Sequence, residues 1–203
     1  AFLANLHWHM ALARGGPHAA RSFLHQIYGH SISEGYAAGP PGDEKLGPYG
    51  ELMPAASLKL LQTLQLNQHD VFYDLGSGIG KLVLLSGAAT PAAHCVGVEL
   101  SSTRFGIAQQ ALRKAESQNL IERGRCRFLL GDILAARMDD ATVAYCCSTA
   151  FSDDMLACLV KKFLCLPSLR IWVTLREPTC TSGFRLLKRL NLDTSWQRKS
   201  TVF

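Results

Sequence analysis

The fold of this chain is decided by the stretch Val71-Phe72-Tyr73-Asp74-Leu75-Gly76-Ser77-Gly78-Ile79-Gly80-Lys81. Its first five residues are mostly aromatic, β-branched or aliphatic, which predicts a buried strand. Its three glycines permit a turn so tight that backbone atoms can lie against a ligand. The apolar run that follows, at 82–89, predicts a buried helix. A strand, a glycine turn and a helix N-terminus in succession are typical of a site for a nucleoside-containing ligand.

The spacing of the glycines narrows the choice of ligand. A dinucleotide-binding turn has glycine at its first, third and sixth positions, whereas Lys81 holds the sixth position here and Gly80 comes one residue early. A P-loop needs Ser or Thr after Gly-Lys, and Leu82 follows instead. The Asp74 carboxylate favours a cationic group and disfavours a pyrophosphate. A ligand that joins an amino acid to an adenosine fits both conditions, so the stretch predicts an S-adenosylmethionine site. Structural loop glycines are the alternative.

Two acidic residues at the ends of later predicted strands support this interpretation. Glu99 lies about 20 residues beyond the glycine turn, where nucleoside-binding folds place the acid that binds ribose hydroxyls. Asp132 can accept a hydrogen bond from the adenine amino group while Ile133 packs on the ring. The alternative is structural: Glu99 caps the helix that begins near Ser101, and Asp132 caps a short turn.

Predicted strands and helices alternate from residue 70 to residue 147. A further strand at 169–175, a helical segment at 184–190 and a final hairpin formed by 192–196 and 201–203 follow them. This order predicts an α/β fold with an open, mostly parallel sheet, helices on both faces and an antiparallel last strand. It resembles the Rossmann-like arrangement of class I methyltransferases, whose first motif the pattern Asp-Leu-Gly-x-Gly-x-Gly at 74–80 also resembles.

A breaker-rich segment at 39–48 divides the chain. It predicts an N-terminal helical extension and linker, residues 1–47, and a methyltransferase domain, residues 48–203. Two stretches border the predicted pocket, and each has a structural alternative. The stretch 49–52 closes over the ligand or is a plain connector in which Glu51 caps a helix. The stretch 147–151 carries acceptor-side residues or is a turn in which Ser148 or Ser152 caps the next helix.

The composition is that of one ordinary globular domain, with 203 residues, 48% hydrophobic and 18% charged. No apolar run approaches the roughly 18 residues of a membrane span. The N-terminus lacks the basic leader and continuous apolar core of a signal peptide. Seven cysteines without a Cys-x-x-Cys pair favour reduced thiols in an intracellular protein over disulfides or a metal site. The net charge of +5 permits an acidic partner without requiring one.

Five motifs together resemble the disruptor-of-telomeric-silencing histone lysine methyltransferases and their smaller microbial relatives. They are Tyr49-Gly50-Glu51, the stretch 71–81, Gly97-Val98-Glu99, Gly131-Asp132 and Ser148-Thr149-Ala150-Phe151. The resemblance covers about residues 48–176. It implies the class I fold rather than the SET fold, S-adenosylmethionine as the cofactor, and a lysine in the nucleosome core as the substrate. It also implies a location in the nucleus; the alternative is the cytoplasm.

The resemblance also implies roles for individual residues. The methionine end of the cofactor would lie against Asp74 and the glycine turn, that is Gly76, Ser77, Gly78, Gly80 and Lys81. Glu99 and Leu100 would hold the ribose, and Asp132 and Ile133 the adenine. Tyr49 and Glu51 would belong to the loop that closes the cofactor pocket. Ser148, Phe151 and Tyr49 would line the lysine channel, with Ser148 also touching the cofactor.

One departure bears on the substrate. Cys147 and Ser148 stand where the family has two asparagines, the second of which lines the lysine channel. The basic tail with which some members grip nucleosomal DNA is absent, although basic residues leave room for a weak DNA contact. Two alternatives follow: a related methyltransferase for a non-histone lysine or a small molecule, and a catalytically weak cofactor-binding scaffold.

Overall fold

The computed structural model describes residues 12, 17–29, 50–179 and 183–203. The helices are α1 (Pro17–Tyr28), α2 (Pro54–Leu64), α3 (Lys81–Ala89), α4 (Ser102–Ser117) and α5 (Asp153–Leu164), with a short 3-10 turn at Ser148–Ala150. The strands are β1 (Val71–Leu75), β2 (His94–Glu99), β3 (Cys126–Leu130), β4 (Val143–Cys146), β5 (Ile171–Thr174), β6 (Leu190–Leu192) and β7 (Ser200–Val202). Within these ranges no helix is long and apolar enough to cross a membrane.

The main sheet has five parallel strands in the order β3-β2-β1-β4-β5. The chain therefore runs outward from β1 in one direction, returns, and continues from β4 in the other. In open α/β sheets, ligands bind at the carboxyl ends of the strands where this reversal occurs. The predicted class I methyltransferase sheet is confirmed, and the β1–β4 junction is its candidate ligand site.

Two apolar clusters cover the two faces of the sheet, as predicted for helices on both sides. One includes Phe72, Phe128 and Tyr145 and packs with α1, α2 and α3. The other includes Tyr73 and Phe163 and packs with α5. Helix α3 is buried from Lys81 to Ala88, which explains the unbroken apolar run in its sequence.

Helix α1, from the N-terminal segment, is part of the first cluster. Phe23, Leu24 and Ile27 are buried on it. The Tyr28 hydroxyl donates to the carbonyl oxygen of Ile79, at 2.7 Å, in the glycine turn. Lys114 on α4 donates to the carbonyl oxygen of Ile27 at 2.8 Å. The division of the chain at residue 47 stays a prediction.

Residues 190–202 form an antiparallel hairpin, as predicted, but its first arm is Leu190–Leu192 rather than 192–196. Strands β6 and β7 pair as a separate two-stranded sheet. Phe203, directly after β7, exchanges two backbone hydrogen bonds with Thr174 of β5, at 2.8 and 3.0 Å. This reciprocal exchange is typical of an antiparallel pair and joins the hairpin to the main sheet.

The predicted helical segment at 184–190 is wrong. Residues 184–189 form no helix, and β6 begins at Leu190. Phe184 packs edge-on against Trp172, with ring centroids 5.7 Å apart, while Leu186 and Leu187 are exposed. The contact of Phe184 with Trp172 of β5 and the pairing of β6 with β7 outweigh the weak helical propensity of residues 184–190.

An ion pair between the buried Asp70 and the partly exposed Arg170 fastens the amino ends of three strands. Asp70, just before β1, accepts two hydrogen bonds from the Arg170 guanidinium at 2.7 and 2.9 Å, and one from the Thr142 hydroxyl at 2.7 Å. Arg170 and Thr142 directly precede β5 and β4. Burial of the Asp70 carboxyl favours its neutral form, but these bonds and that from the Asn67 amide outweigh it and lower its pKa to about 2.

Arg170→Ala should lower the free energy of unfolding by about 2 kcal/mol near neutral pH, because it leaves a buried carboxylate with fewer partners. The Asp70 pKa is lowered by folding, so this stabilisation is present above about pH 4 and is lost as the pH falls toward about 2. Urea unfolding of the wild-type and Arg170→Ala proteins, near neutral pH and at about pH 2, measures this stabilisation and its loss. Arg137→Ala is the control, since Arg137 and Asp139 pair in solvent, and should cost less than about 0.5 kcal/mol. Equal effects of the two substitutions would contradict the assignment.

Candidate functional site

A narrow cleft opens at the carboxyl ends of β1 and β4, where the strand order reverses. Its volume is about 40 Å³. It is lined by the glycine turn and Asp74, by the ends of β4 and α3, and by the segment before α2: Gly50, Glu51, Leu52, Ser57, Asp74, Gly76, Ser77, Gly78, Lys81, Leu82, Tyr145 and Cys147. The structure therefore brings together the predicted methionine-end residues, of which only Gly80 is absent from the lining.

The glycine turn is shaped by backbone bonds to β2. The amides of Gly76 and Ser77 donate to the carbonyl oxygen of Val98 at 2.9 and 3.0 Å. Gly80 has a φ of +90°, and a Cβ there would lie 2.4 Å from the Phe128 ring. Glycine is required at that position on both counts. Gly80 thus holds the turn against β3 rather than facing the cleft.

In the cleft, Asp74 is a buried carboxyl whose pKa is raised. Its side chain lies at the last-but-one position of β1 and the residue is 4% exposed. Burial, reinforced by the nearby Glu99 carboxylate, raises the pKa of Asp74 to about 8. No compensating cation contributes from the described residues. A carboxyl held in this way is suited to accept a cationic or hydrogen-bond-donating ligand group.

Two further polar atoms lining the cleft are buried without an oxygen or nitrogen partner. In the described part of the chain, neither the Ser77 hydroxyl nor the Tyr145 hydroxyl makes a hydrogen bond to such an atom. Buried polar groups are satisfied in the large majority of cases, so unsatisfied groups that line one cleft indicate a ligand or water position.

An ion pair closes one side of the cleft. Lys81 Nζ lies 2.5 Å from Glu51 Oε1, and both side chains are largely buried. The segment that carries Glu51 is fixed by the C-terminal hairpin: the Ser195 amide donates to the Glu51 carbonyl oxygen at 2.8 Å, and the Met53 amide to that of Asp193 at 2.9 Å. Glu51 therefore borders the pocket, as predicted for a closing loop, while Tyr49 lies outside the described residues.

Glu99 is buried at the end of β2, and both of its carboxylate oxygens accept backbone bonds. The amide of Gly78 donates to one at 2.7 Å and the amide of Ser101 to the other at 2.8 Å. Ser101 itself caps α4 by accepting from the Arg104 amide. Glu99 thus joins the glycine turn to the start of α4, and each oxygen keeps a further lone pair. Leu100, the next residue, is 56% exposed.

Asp132 is exposed and caps a turn by accepting from the Leu134 amide at 2.8 Å. Ile133 is buried in the second apolar cluster. Leu130, at the end of β3, is 52% exposed and stands opposite Glu99 in the sheet. In this structure Asp132 caps a turn, as the structural alternative predicts. The roles of Asp132 and Ile133 in binding adenine stay predictions.

Ser148 is wholly buried, and its hydroxyl has protein partners. It lies 2.6 Å from the Thr174 hydroxyl and accepts from the amides of Leu175 and Arg176 at 3.1 and 2.9 Å. Ser148 therefore fastens the end of β4 to the end of β5, and Cys147 lines the cleft instead. The role of Ser148 toward cofactor or lysine stays a prediction.

Phe151, the other predicted channel residue, is half-buried against the second apolar cluster. The Arg176 guanidinium donates to its carbonyl oxygen and pairs with Asp153. Ser152 caps α5 by accepting from the Met155 amide at 3.2 Å, so the capping alternative is confirmed for Ser152. The described residues contain no cluster of three or more His, Cys, Asp or Glu side chains that could hold a metal ion.

Sequence reasoning missed Tyr145 as a lining residue, although it placed Cys147 in the stretch 147–151 that borders the predicted pocket. Tyr145 lies in β4, and Cys147 directly follows the last residue of that strand. The available signal was that Tyr145 brings a polar group to a position in an otherwise apolar run.

Asp74→Asn should stabilise the protein. Because folding raises the pKa of Asp74 to about 8, the unfolded chain releases a proton between about pH 4 and about pH 8 that the folded chain retains. Stability therefore falls as the pH rises through this window, and the amide removes that cost, which should add about 1–2 kcal/mol at about pH 8. Urea unfolding at about pH 5 and about pH 8 measures both the gain and its pH dependence. Asp132→Asn, at an exposed cap, should change neither; a destabilised Asp74→Asn protein would refute the prediction.

The chain is similar in sequence to known protein-lysine methyltransferases. The model of the family described as Histone methylation protein DOT1 matches residues 46–130. A histone-lysine N-methyltransferase, H3 lysine-79 specific, from Caenorhabditis elegans is 33% identical over 116 residues, which cover 53% of this chain and 12% of that protein. A protein-lysine N-methyltransferase from Saccharolobus islandicus is 26% identical over 96 residues, which cover 47% of this chain and 56% of that protein.

The chain thus spans just over half of the archaeal relative and a small part of the animal one. Among solved structures, an RNA methyltransferase from Salinibacter ruber in complex with S-adenosyl-L-homocysteine aligns with a TM-score of 0.46 and 23% identity, over 57% of this chain and 71% of that chain. The predicted resemblance to the DOT1 histone methylation proteins is confirmed over residues 46–130, the part of the chain that carries the glycine turn and Glu99.

Proposed function

We propose that this chain binds S-adenosylmethionine and transfers its methyl group to a protein lysine, with a histone in the nucleosome as the favoured substrate. The observation that carries the proposal is the buried Asp74 carboxyl beside a glycine turn, at the point where the strand order reverses. This arrangement suits an amino acid linked to a nucleoside better than a phosphate. The family match covers the same residues.

The residues present fit the cofactor. Asp74 can accept from its ammonium group, and the unsatisfied hydroxyls beside it supply further hydrogen bonds. Glu99 keeps lone pairs for ribose hydroxyls. The exposed side chains of Leu100 and Leu130, at the ends of neighbouring strands, offer apolar surface to the adenine ring. Asp132 is exposed beside them.

The cleft must open to admit this ligand. A volume of about 40 Å³ is little more than one water molecule occupies. The side most readily moved carries Glu51, since it is held by an ion pair and by backbone bonds rather than by the main sheet. Displacement of Glu51 from Lys81 is the smallest change that widens the cleft next to Asp74.

The chain's contribution to methyl transfer is alignment and exclusion of water. The cofactor, when bound, supplies a methyl group already activated by its sulfonium. Asp74, the glycine turn and Glu99 fix the position of that group. An acceptor amine must be neutral to attack, and the cationic sulfonium of the cofactor, when bound, would disfavour the charged form of the amine. No side chain is required as a general base.

The substrate could also be a lysine of a non-histone protein. Two observations favour this second candidate: the archaeal relative is a protein-lysine methyltransferase, and the Ser148 hydroxyl is occupied by Thr174 and two backbone amides. A nuclear location follows from the histone candidate and a cytoplasmic one from the second. For the histone candidate, exposed cations near the C-terminal hairpin, Arg185, Lys188, Arg198 and Lys199, would supply weak contacts to DNA phosphates.

Glu99→Gln should weaken S-adenosylhomocysteine binding by roughly 1.5–3 kcal/mol, because a charge-assisted acceptor of the ribose hydroxyls is lost and the new side-chain NH2 group cannot accept from the Gly78 or the Ser101 amide. Titration calorimetry measures this, and NAD should not bind. Asp132→Asn should weaken binding less. Unchanged affinity in a folded Glu99→Gln protein would remove the ribose assignment.

Methyl transfer from radiolabelled S-adenosylmethionine tests the substrate. Nucleosomes should be better substrates than free histones, and transfer should fall as salt rises, because contacts to DNA phosphates are screened. If transfer to non-histone protein equals transfer to nucleosomes and does not depend on salt, the methyltransferase activity stands and the histone is discarded as the favoured substrate. If the protein binds the cofactor but transfers no methyl group to nucleosomes, histones or total lysate, the protein is a cofactor-binding scaffold instead of an active enzyme.

A further inference from the structure

Tyr145 stands beside Asp74 in the sheet. The two residues are register partners on the parallel strands β4 and β1. Register partners direct their side chains to the same face. Both line the cleft, and Tyr145 is 3% exposed.

The Tyr145 hydroxyl is the polar end of an otherwise apolar side chain in the first cluster. Among the described residues the hydroxyl has no oxygen or nitrogen partner, and the Cys147 thiol with which it interacts is at most a weak acceptor. Buried tyrosine hydroxyls usually find a partner, because leaving water without one is costly. Packing alone would be served equally well by phenylalanine, so the hydroxyl points to a ligand acceptor.

The relative positions of Tyr145 and Asp74 indicate which group of the ligand would accept a hydrogen bond from the Tyr145 hydroxyl. A tyrosine side chain is longer than an aspartate side chain, so its hydroxyl lies farther from the sheet than the Asp74 carboxyl. A ligand ammonium placed on Asp74 has its own carboxylate one carbon away. That carboxylate needs a donor, and the Tyr145 hydroxyl is a donor on the same face of the sheet as Asp74.

We propose that the Tyr145 hydroxyl donates a hydrogen bond to the carboxylate of the cofactor's amino-acid end, so that Asp74 and Tyr145 together recognise the amino acid. This assignment rests on the proposed function. It makes Tyr145 a cofactor-binding residue that selects ligands with an intact carboxylate.

The test compares two ligands and two proteins by titration calorimetry. The ligands are S-adenosylhomocysteine and its decarboxylated analogue, which keeps the amine and lacks the carboxylate. Tyr145→Phe should bind S-adenosylhomocysteine roughly tenfold more weakly than the wild-type protein, the size expected for a hydrogen bond to a charged group. Both proteins should bind the decarboxylated analogue equally.

Tyr73→Phe is the matched control. It also removes a hydroxyl from a buried tyrosine of the central sheet, but that hydroxyl bonds to Asp140 and Arg127 away from the cleft, so neither affinity should change. Equal weakening of both ligands by Tyr145→Phe would show a purely structural role and overturn the inference. Unchanged binding of both would overturn it as well. Failure of the wild-type protein to bind either ligand would instead overturn the proposed function on which the inference rests.

Discussion

The parallel pairing of β1 with β2 on one side and with β4 on the other is the constraint on which the rest of the structure depends. The connections after β1 and β4 leave the sheet in opposite directions, so their carboxyl ends are not covered by the same helix. The gap between them becomes the cleft, and Asp74 and Tyr145 enter it as register partners. The glycine turn follows because the chain must leave β1 and begin α3 without filling that gap.

The two ends of the central strands are electrostatic opposites. At the amino ends, the Asp70 carboxylate is paired with Arg170 and bonded by Thr142, so its charge is stabilised. At the carboxyl ends, within the described residues, Asp74 is buried without a compensating cation, and the hydroxyls of Ser77 and Tyr145 lack oxygen or nitrogen partners. One end is complete as a folded structure, and the other is the end at which we propose that a ligand binds. Unsatisfied polar groups gathered at one place are what a preorganised binding site requires.

The fold, and the gathering of Asp74 with the glycine turn in one cleft, could be predicted because their signals are local. The strand, turn and helix at 71–89 are contiguous, and each acid proposed to contact the cofactor lies within two residues of the end of a strand. The segment at 184–190 was predicted wrongly because its conformation depends on Trp172 and on β7, which a local helical pattern does not reveal. The partners of Ser148 are likewise distant in sequence, at 174–176. The hold of the C-terminal hairpin on Glu51 joins segments still farther apart.

The most direct test of the account is a crystal structure of the protein with S-adenosylhomocysteine. The account predicts that the ligand's ammonium lies on Asp74, that its ribose lies on Glu99, and that Glu51 has moved away from Lys81 to admit it. Two results would contradict the account. One is a ligand bound elsewhere; the other is a ligand at the carboxyl ends of β1 and β4 whose amino-acid end points away from Asp74.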